Sequence, residues 1–327
     1  MRIACAHQNI HIIKDRLLFS ILRSKPRNTN QFYYFTVEDD PEFQYRPFFD
    51  DFGPPSLPKL CRFVHKVRKL LEERKENIVH FYSSPSPTAK SNMSLYISFF
   101  RMIHLNLTAK EAYQPIEPIS GRLKPFRDAS NSKSLLDLTV LDVLKGIQKA
   151  MDMNFFDFEK FDIQKWEELE QLAKGNMNWI VPNKLLAMST PYSFGEIPNS
   201  GRSNPDNKEE EVPPIKLATP KDVIPTLKDE LGITDVVRLN KKFYDAAEFK
   251  ENGLNHTDLY FPDGTIPPDR IIQEFFKILD EEKSVVAVHC KAGLGRAFVS
   301  IFEIFVSEIF FPLDQSFFSL SISTILV

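Results

Sequence analysis

The chain has 327 residues, of which 43% are hydrophobic and 26% are charged, and its formal net charge is −3 at pH 7. This composition predicts a soluble globular protein with room for two domains, without the basic excess of nucleic-acid-binding proteins. The three cysteines, Cys5, Cys61 and Cys290, form no disulfide framework and so predict a reducing compartment. No segment before residue 296 resembles a membrane span, and the first residues lack the apolar stretch of a secretory signal.

The first half of the chain predicts an alternation of strands and helices. Phe32–Val37 and Asn77–Phe81 have the pattern of strands, and Leu57–Arg74 between them has that of an amphipathic helix with a basic polar face. The turn-rich segment Ser83–Pro87 follows the second strand, and an apolar helix is predicted over Met93–His104.

The second half repeats this alternation after a charged segment. Phe161–Lys174 predicts a helix whose simplest interpretation is a solvated face, and Pro198–Pro214 predicts an exposed loop. Thr234–Leu239 and Thr257–Phe261 predict strands, and Pro267–Leu279 predicts a helix. Because strands alternate with helices along the chain, we predict a mostly parallel sheet.

One segment carries a pattern that points to chemistry. A short apolar, β-branched run delivers a cysteine, two glycines follow, and an arginine lies six positions after the cysteine; the segment comprises Val285–His289, Cys290, Lys291, Ala292, Gly293, Leu294, Gly295 and Arg296. Backbone N–H groups of such a loop converge on phosphate oxygens, and the guanidinium can bind two of them. We expect the cysteine to be held as the thiolate, its reactive form. The alternative is a buried cysteine at a strand end, followed by an ordinary glycine turn.

Cleavage of a phosphate ester by a cysteine also requires a proton donor for the leaving alkoxide. Asp263 is the candidate, because it follows a predicted strand, precedes Gly264 and lies 27 positions before Cys290. Aspartates at turns usually only form the turn, and Asp258 and Asp269 are the alternative donors.

The two halves also resemble each other. Aligning the two strand, polar loop and helix units places His80 against His289 and Phe81 against Cys290. The first half has neither a cysteine nor a phosphate-binding arginine in its loop. We therefore interpret it as a degenerate, non-catalytic copy of the second.

The chain resembles the cell-division-cycle-fourteen family of dual-specificity phosphatases. The matching segments follow the family's order and are Phe35–Asp40, Phe126–Ser130, Asn178–Pro182, Val236–Lys242 and Val288–Arg296. The resemblance implies an α/β fold with two tandem dual-specificity-phosphatase-like domains joined by a linker helix. The implied parts are a non-catalytic domain over residues 1–159, the linker over 160–175 and a catalytic domain over 176–327.

The same resemblance assigns roles to residues. It implies Cys290 as nucleophile, Arg296 as phosphate binder and Asp263 as general acid, with no metal or cofactor. Residues 291–295 would bind the phosphate of the substrate. Two acidic positions of the family's linker match Glu167 and Glu170, which would recognise a basic residue of the substrate.

The implied substrates are phosphorylated proteins. The family dephosphorylates phosphoserine-proline sites with a nearby basic residue, of the type made by mitotic cyclin-dependent kinases. A third acidic position of the family falls on Asn176 here, so we expect a reduced but retained preference for basic substrates. An intracellular location (nucleus, nucleolus, centrosome, spindle or cytoplasm) is implied, with no nucleic-acid or membrane partner, and the oligomeric state is left open.

The family pattern stops after Arg296. Ala297 and Phe298 stand where the family has a Ser or Thr and then a Gly, and residues 297–327 form a divergent tail in which Phe298–Phe311 can form one helix. The expected explanation is a truncated or alternatively spliced product with an incomplete second domain. The alternatives to an active phosphatase are a crippled phosphoprotein-binding or inert isoform and a scaffold that uses only the first domain.

Overall fold

The structure, a computed structural model, describes residues 9–45, 52–127, 138–193, 196–197, 215–262 and 265–291. Contacts within the chain divide it into two compact units, with the division between Phe161 and Asp162. Unit 1 denotes the described residues up to Phe161, and unit 2 those from Asp162 onward. The domain bounds given above stay a prediction, as does an incomplete second domain, because residues 297–327 lie outside the described residues.

Unit 1 is built on a four-stranded sheet in the order β1-β2-β4-β3. The strands are β1 (Ile10–Ile13), β2 (Leu17–Ile21), β3 (Phe32–Phe35) and β4 (Ile78–Ser83). β1 and β2 form an antiparallel pair, whereas β2 and β3 both run parallel to β4. Its helices are α1 (Leu57–Glu73), α2 (Pro87–His104), α3 (Ala109–Tyr113), a 3₁₀ helix over Gln114–Arg122 and α4 (Val140–Asp152).

The helices of unit 1 follow from local sequence signals. In α1, Leu60, Phe63, Val64 and Val67 are buried at helical spacing and place one face of the helix in the core, as predicted. Each such side chain contributes roughly 1.5–3 kcal/mol through burial. The helix predicted from Met93 begins six residues earlier, at a proline that is well suited to a first helical position.

Unit 2 is built on a five-stranded sheet in the order β10-β9-β11-β6-β5. The strands are β5 (Asn178–Val181), β6 (Leu185–Met188), β9 (Asp235–Arg238), β10 (Asn255–Asp258) and β11 (Val286–His289), and β7 (Glu196–Ile197) and β8 (Ile215–Lys216) form a separate pair. The helices are α5 (Ile163–Leu169), a 3₁₀ turn over Leu172–Lys174, α6 (Pro220–Pro225) with a π-helical turn over Thr226–Glu230, α7 (Ala247–Glu251) and α8 (Asp269–Asp280). β10, β9, β11 and β6 all run parallel, which confirms the predicted mostly parallel sheet.

Two predicted elements of unit 2 differ from the structure. The strand predicted over Thr257–Phe261 lies at Asn255–Asp258, because that segment pairs in register with β9. The charged helix predicted over Phe161–Lys174 spans only Ile163–Leu169 as an α-helix and is not solvated all round, because Leu169 packs in the core of unit 2. The predicted loop at 198–214 lies outside the described residues.

The two sheets share one arrangement of four strands. An antiparallel pair (β1-β2, β5-β6) is followed by two parallel neighbours around a central strand (β4, β11). Leu18 pairs with His80 as Met188 pairs with His289, so Ser20 and Thr190 hold equivalent positions two residues further on. Their hydroxyl oxygens lie 2.7 Å from His80 Nε2 and 3.0 Å from His289 Nδ1, respectively. This correspondence supports the alignment of His80 with His289.

Candidate active site

The central strand of unit 2 delivers Cys290 to the carboxyl edge of the sheet. β11 lies between β9 and β6, and its last residue, His289, is level with Arg238 on one side and Met188 on the other. Cys290 follows directly and is 3% exposed, and Lys291 is exposed. The predicted strand-to-cysteine transition is therefore present. Ala292, Gly293, Leu294, Gly295 and Arg296 lie outside the described residues.

A single threonine holds the chain where it leaves β11. Thr190 Oγ1 donates a hydrogen bond to the carbonyl oxygen of Cys290 at 2.6 Å, and its backbone N–H donates to that of Lys291 at 3.2 Å. Asn240 Nδ2 in turn donates to Thr190 Oγ1 at 2.7 Å. These bonds fix the backbone on both sides of the peptide bond that follows the cysteine.

The hydrogen bonds around His289 define its tautomer. Because the one hydroxyl proton of Thr190 goes to Cys290, the 3.0 Å contact with His289 Nδ1 must be a donation from the imidazole N–H. His289 is fully buried, and burial lowers its pKa to about 3, so the ring is neutral and its Nε2 carries no proton. Tyr244 O–H therefore donates to His289 Nε2, at 2.6 Å.

The network extends to a second buried histidine. The Tyr244 hydroxyl oxygen lies 2.8 Å from His256 Nε2. Since the Tyr244 proton goes to His289, His256 must donate its Nε2–H to Tyr244. Burial, reinforced by the positive charge of Arg238, lowers the pKa of His256 to about 4, and burial raises the pKa of Tyr244. At neutral pH His256, Tyr244 and His289 are all uncharged. Each hydrogen bond between them then has a defined donor and a defined acceptor.

The proposed proton donors differ in their surroundings. Burial opposes ionisation of Asp258, but hydrogen bonds from Arg238 at 2.6 and 3.0 Å prevail and lower its pKa. A carboxylate held ionised by a buried guanidinium is a poor acid. Asp269 is exposed in the first turn of α8. Asp263 lies outside the described residues.

The segment that leads to residue 263 starts at the same sheet edge as the cysteine. The N–H of Leu239 donates to the carbonyl oxygen of His289 at 2.9 Å, and the N–H of Phe261 donates to that of Leu239 at 3.4 Å. Phe261 is 1% exposed and so anchors this backbone ladder in the core. Only Pro262 separates Phe261 from the predicted acid, Asp263.

The acidic side chains of α5 are partly accessible. Glu170 Oε1 accepts a hydrogen bond from Trp166 Nε1 at 2.6 Å, and both Glu167 and Glu170 are half-buried. Glu168 is exposed and forms an ion pair with Lys174. Asn176 has a positive φ of 46° just after the 3₁₀ turn. The contacts of Glu167 and Glu170 with a substrate stay a prediction.

Within the described part of the chain, no three His, Cys, Asp or Glu side chains are placed to hold a metal ion. None of the helices in the ranges that the structure describes is long and apolar enough to cross a membrane.

Sequence reasoning did not identify the side chains that hold the site. Thr190 bonds His289 and Cys290, and Tyr244 bonds His289. Asn240 supports Thr190, and His256 supports Tyr244, so the site is held from three separate segments. Asn240 belongs to Val236–Lys242, one of the segments that resemble the family, and this resemblance is the one feature of the sequence that could have pointed to it. The others carry no local pattern that distinguishes them from ordinary polar residues.

Two family models match the chain. One, described as "Dual specificity protein phosphatase, N-terminal half", matches residues 11–150, and the other, "Polymorphic toxin system, DSP-PTPase phosphatase", matches residues 213–307. Together with the parallel sheet and its strand-end cysteine, these matches place the chain in the class of dual-specificity-type phosphatase folds.

Curated relatives define the family more closely. The chain is 41% identical over 290 residues to dual specificity protein phosphatase CDC14AB of Danio rerio, covering 87% of this chain and 44% of that protein. It is 39% identical over 290 residues to CDC14A of Mus musculus, covering 87% and 45%. A crystal structure of a mutant form of Tk-PTP matches with a TM-score of 0.30 at 17% identity, covering 45% of this chain and 85% of that one. The chain belongs to the Cdc14 family of dual specificity protein phosphatases, and it spans about half the length of the curated relatives it matches.

Proposed function

We propose that the chain is a protein phosphatase that hydrolyses phosphoserine-proline sites, and also phosphothreonine and phosphotyrosine, through a cysteinyl-phosphate intermediate. The observation that carries the proposal is the position of Cys290 at the end of the central parallel strand, with its carbonyl group bonded to Thr190. The family of the chain adds a role in the cell cycle and an intracellular location, with phosphorylated proteins as partners.

The proposed reaction has two steps. The Cys290 thiolate attacks phosphorus, an S–P bond forms, and the P–O bond to the substrate breaks while Asp263 gives its proton to the leaving oxygen. Water then attacks the phosphoenzyme, its proton passes to the Asp263 carboxylate, and phosphate leaves as the thiolate is restored. Arg296 and the backbone of residues 291–295 would bind the phosphoryl oxygens in both steps.

The nucleophile can be tested against a matched cysteine. Cys290→Ser should lower turnover of a phosphoserine-proline peptide by on the order of 10⁴-fold or more. Cys61→Ser is the control, because Cys61 lies buried in α1 and burial raises its pKa to about 12, which keeps it a thiol at neutral pH. Steady-state phosphate release measures both variants. Retained turnover in the Cys290 variant would refute the proposal.

The acid can be tested in the same way. Asp263→Asn should lower kcat by about 10²–10⁴-fold, because a general acid contributes that much to proton transfer. Asp269→Asn, a similar change on an exposed first turn of α8, should leave kcat unchanged. If the two variants behave alike on a substrate with a poor leaving group, the assignment to Asp263 is wrong.

Glu167 and Glu170 are proposed to attract a basic residue of the substrate. Replacing both by Gln should lower kcat/KM about fivefold for a peptide with a nearby Lys, as expected for a partly exposed ion pair. A peptide without the Lys should be unaffected. Glu168→Gln is the matched control on the same helix, because Glu168 already pairs with Lys174. Equal turnover of the two peptides by the unmodified chain would exclude the preference.

A second candidate function is a phosphoprotein-binding isoform without turnover. Ala297 cannot donate the hydrogen bond that the family's Ser or Thr makes to the cysteine sulfur, and Phe298 is bulky where the family has Gly. A single stoichiometric burst of product without steady turnover would favour this function, and neither burst nor phosphopeptide binding would leave a scaffold. Ala297→Thr with Phe298→Gly should raise turnover if the hydroxyl is what limits it.

A further inference from the structure

The sheet of unit 2 has one strand more than the four-strand arrangement that the two units share, and that strand leads toward the proposed acid. Among the described strands, β10 lies at the edge of the sheet, pairs with β9 alone and has no counterpart in unit 1. Residues 259–262, called the acid segment below, follow β10 directly, and Asp263 comes next in the chain. The attachment of β10 to β9 therefore decides where the acid segment begins.

One pair of side chains joins β10 to β9 at the last register position. Asp258 lies opposite Arg238, and its two carboxylate oxygens accept hydrogen bonds from Arg238 Nε at 2.6 Å and from Nη2 at 3.0 Å. A bidentate contact of this kind fixes the relative orientation of two groups as well as their distance. Asp258 is the last residue of β10, so the contact fixes the end of the strand from which the acid segment starts.

Arg238 is held on its other side by the segment that reaches the nucleophile. Its Nη1 donates to the carbonyl oxygen of Tyr244 at 2.8 Å, and its guanidinium carbon lies 4.5 Å from the centre of the Tyr244 ring. The Tyr244 hydroxyl group in turn donates to His289, the residue before Cys290. One guanidinium, whose side chain is 1% exposed, thus ties the start of the acid segment to the residues around the cysteine.

The backbone attachment of the acid segment weakens along the chain. The N–H of Leu259 donates to the carbonyl oxygen of Arg238 at 2.9 Å, an ordinary length for such a bond. The N–H of Phe261 donates to that of Leu239 at 3.4 Å, which is beyond the usual range. The strongest polar attachment of the described segment is therefore at its start, where Asp258 meets Arg238.

A buried ion pair is a weak source of stability for a sheet. Withdrawal of the two charges from water offsets much of their attraction, so apolar side chains of similar volume often stabilise a fold as well. Unit 1 has an uncharged arrangement at this level, because Tyr34 takes the place of Arg238 and stacks on His80 with the ring centroids 4.8 Å apart. The ion pair thus accompanies β10 and the acid segment, and not the part of the sheet that both units share.

We propose that Asp258 and Arg238 are positioning residues for the general acid, because their contact sets where the acid segment leaves β10. The proposal rests on the proposed function, since it takes Asp263 as the acid. A catalytic group that is displaced by about 1 Å can lose on the order of 10²-fold in rate. Loss of the contact should therefore slow substrates whose leaving group needs a proton and spare those whose leaving group does not.

Two esters that differ only in their leaving group test this role. Phenyl phosphate releases a basic phenolate, whereas p-nitrophenyl phosphate releases a weakly basic one that needs little protonation. Asp258→Asn should lower kcat/KM for phenyl phosphate about tenfold more than for p-nitrophenyl phosphate. The ratio of the two values does not depend on the fraction of folded protein, so a loss of stability alone leaves it unchanged. Because kcat/KM covers the steps up to the phosphoenzyme, slow hydrolysis of that intermediate does not hide the effect.

Three further variants make the test specific. Asp258→Glu keeps the charge of the pair but displaces it by one methylene group, and it should show the same selective loss with a smaller loss of stability. Lys242→Gln removes an exposed cation 3.7 Å from the same carboxylate and should leave the ratio unchanged. In an Asp263→Asn background, which already lacks the acid, Asp258→Asn should lower both esters equally.

The outcomes separate this role from the proposed function. An equal loss on both esters in the two Asp258 variants would overturn the positioning role, and so would a selective loss that persists in the Asp263→Asn background. Neither result would affect Asp263 as the acid. If Asp263→Asn alone lowers both esters equally, Asp263 is not the acid, and the proposed function is wrong at that point together with the positioning role.

Discussion

The loops after β4 and β11 both follow the central strand of a four-strand arrangement that the two sheets share. They differ in the hydrogen bonds that the sheet makes to the histidine on that strand. In unit 2 the strand ends at His289, whose two ring nitrogens both have hydrogen-bond partners, and Cys290 follows. In unit 1 the strand passes through His80, whose Nε2 meets Ser20 while its Nδ1 has no partner among the described residues.

This comparison separates scaffold from chemistry. In both units a buried histidine of the central strand contacts a hydroxyl group from the adjacent strand, two residues after the histidine's own register partner. Unit 1 has this contact without a cysteine. The pair is therefore part of the scaffold that the two sheets share, and not of the chemistry. What unit 2 adds is the extension through Tyr244 to His256, together with the cysteine. In unit 1 the loop binds a carboxylate of the chain itself, that of Glu38.

The largest expected effect concerns a buried charge beside the histidine of the central strand, which unit 2 has and unit 1 lacks at the equivalent position. Arg238 pairs in register with His289, where unit 1 places Tyr34 beside His80. The Arg238 side chain is 1% exposed, and Asp258 binds it through two hydrogen bonds. Asp258→Asn should lower the free energy of unfolding by about 3–5 kcal/mol, because it leaves that charge uncompensated.

A lysine beside the same carboxylate provides the control for this measurement. Lys242 Nζ lies 3.7 Å from Asp258 and its side chain is 77% exposed. Lys242→Gln should change the free energy of unfolding by less than about 1 kcal/mol in urea titrations. Similar losses in the two variants would mean that burial of Arg238 does not set the cost.

The next effect tests the shared hydroxyl group directly. Thr190→Val removes bonds to Asn240, His289 and the carbonyl group of Cys290, so unfolding free energy should fall by about 2–3 kcal/mol and turnover should fall with it. Ser20→Ala removes one bond, to His80, and should cost about 1 kcal/mol without changing turnover. If Ser20→Ala lowers turnover as strongly, the loss in the Thr190 variant comes from lost stability and not from the site.

Much of this site could be predicted because its signals are local. The apolar run before Cys290 predicted a strand, and the alignment of His80 with His289 agrees with the register of both sheets. The bounds of α1 differ from the prediction by one residue, because its apolar side chains follow helical spacing closely.

The missed parts depend on contacts between distant segments. His256 and Tyr244 are far from the cysteine in sequence, and no spacing rule relates them to it. Asp258 was a possible acid by sequence because its partner, Arg238, lies in another strand, β9, and no local pattern relates the two residues. The first turns of α2 bury polar residues, Ser91 and Asn92 among them, so hydrophobic periodicity placed the start of that helix too late.

The smallest effect uses pH to compare the two units. Burial lowers the folded-state pKa of His80 to about 4, as it does for His256, and that of His289 to about 3, against an ordinary value of 6.5. At a pH between the folded and the unfolded pKa, a histidine binds a proton only in the unfolded state. The free energy of unfolding is therefore fully present above pH 6.5 and falls as the pH drops below 6.5. In a His104→Gln background, each of these three histidines should remove about 1 kcal/mol from pH 7.5 to 5.5, one in unit 1 and two in unit 2. The background is needed because burial also lowers the pKa of His104, in α2 of unit 1, which would add to the loss there.

Native-state hydrogen exchange resolves this difference, since amides of β4 and β11 report the opening of their own units. Over that pH range, the opening free energy at β11 should fall by about 2 kcal/mol and that at β4 by about 1 kcal/mol. His256→Gln should reduce the loss at β11 to the value at β4 and leave β4 unchanged. Equal losses at the two strands in the His104→Gln background would show that His256, the second buried histidine of unit 2, is not held neutral.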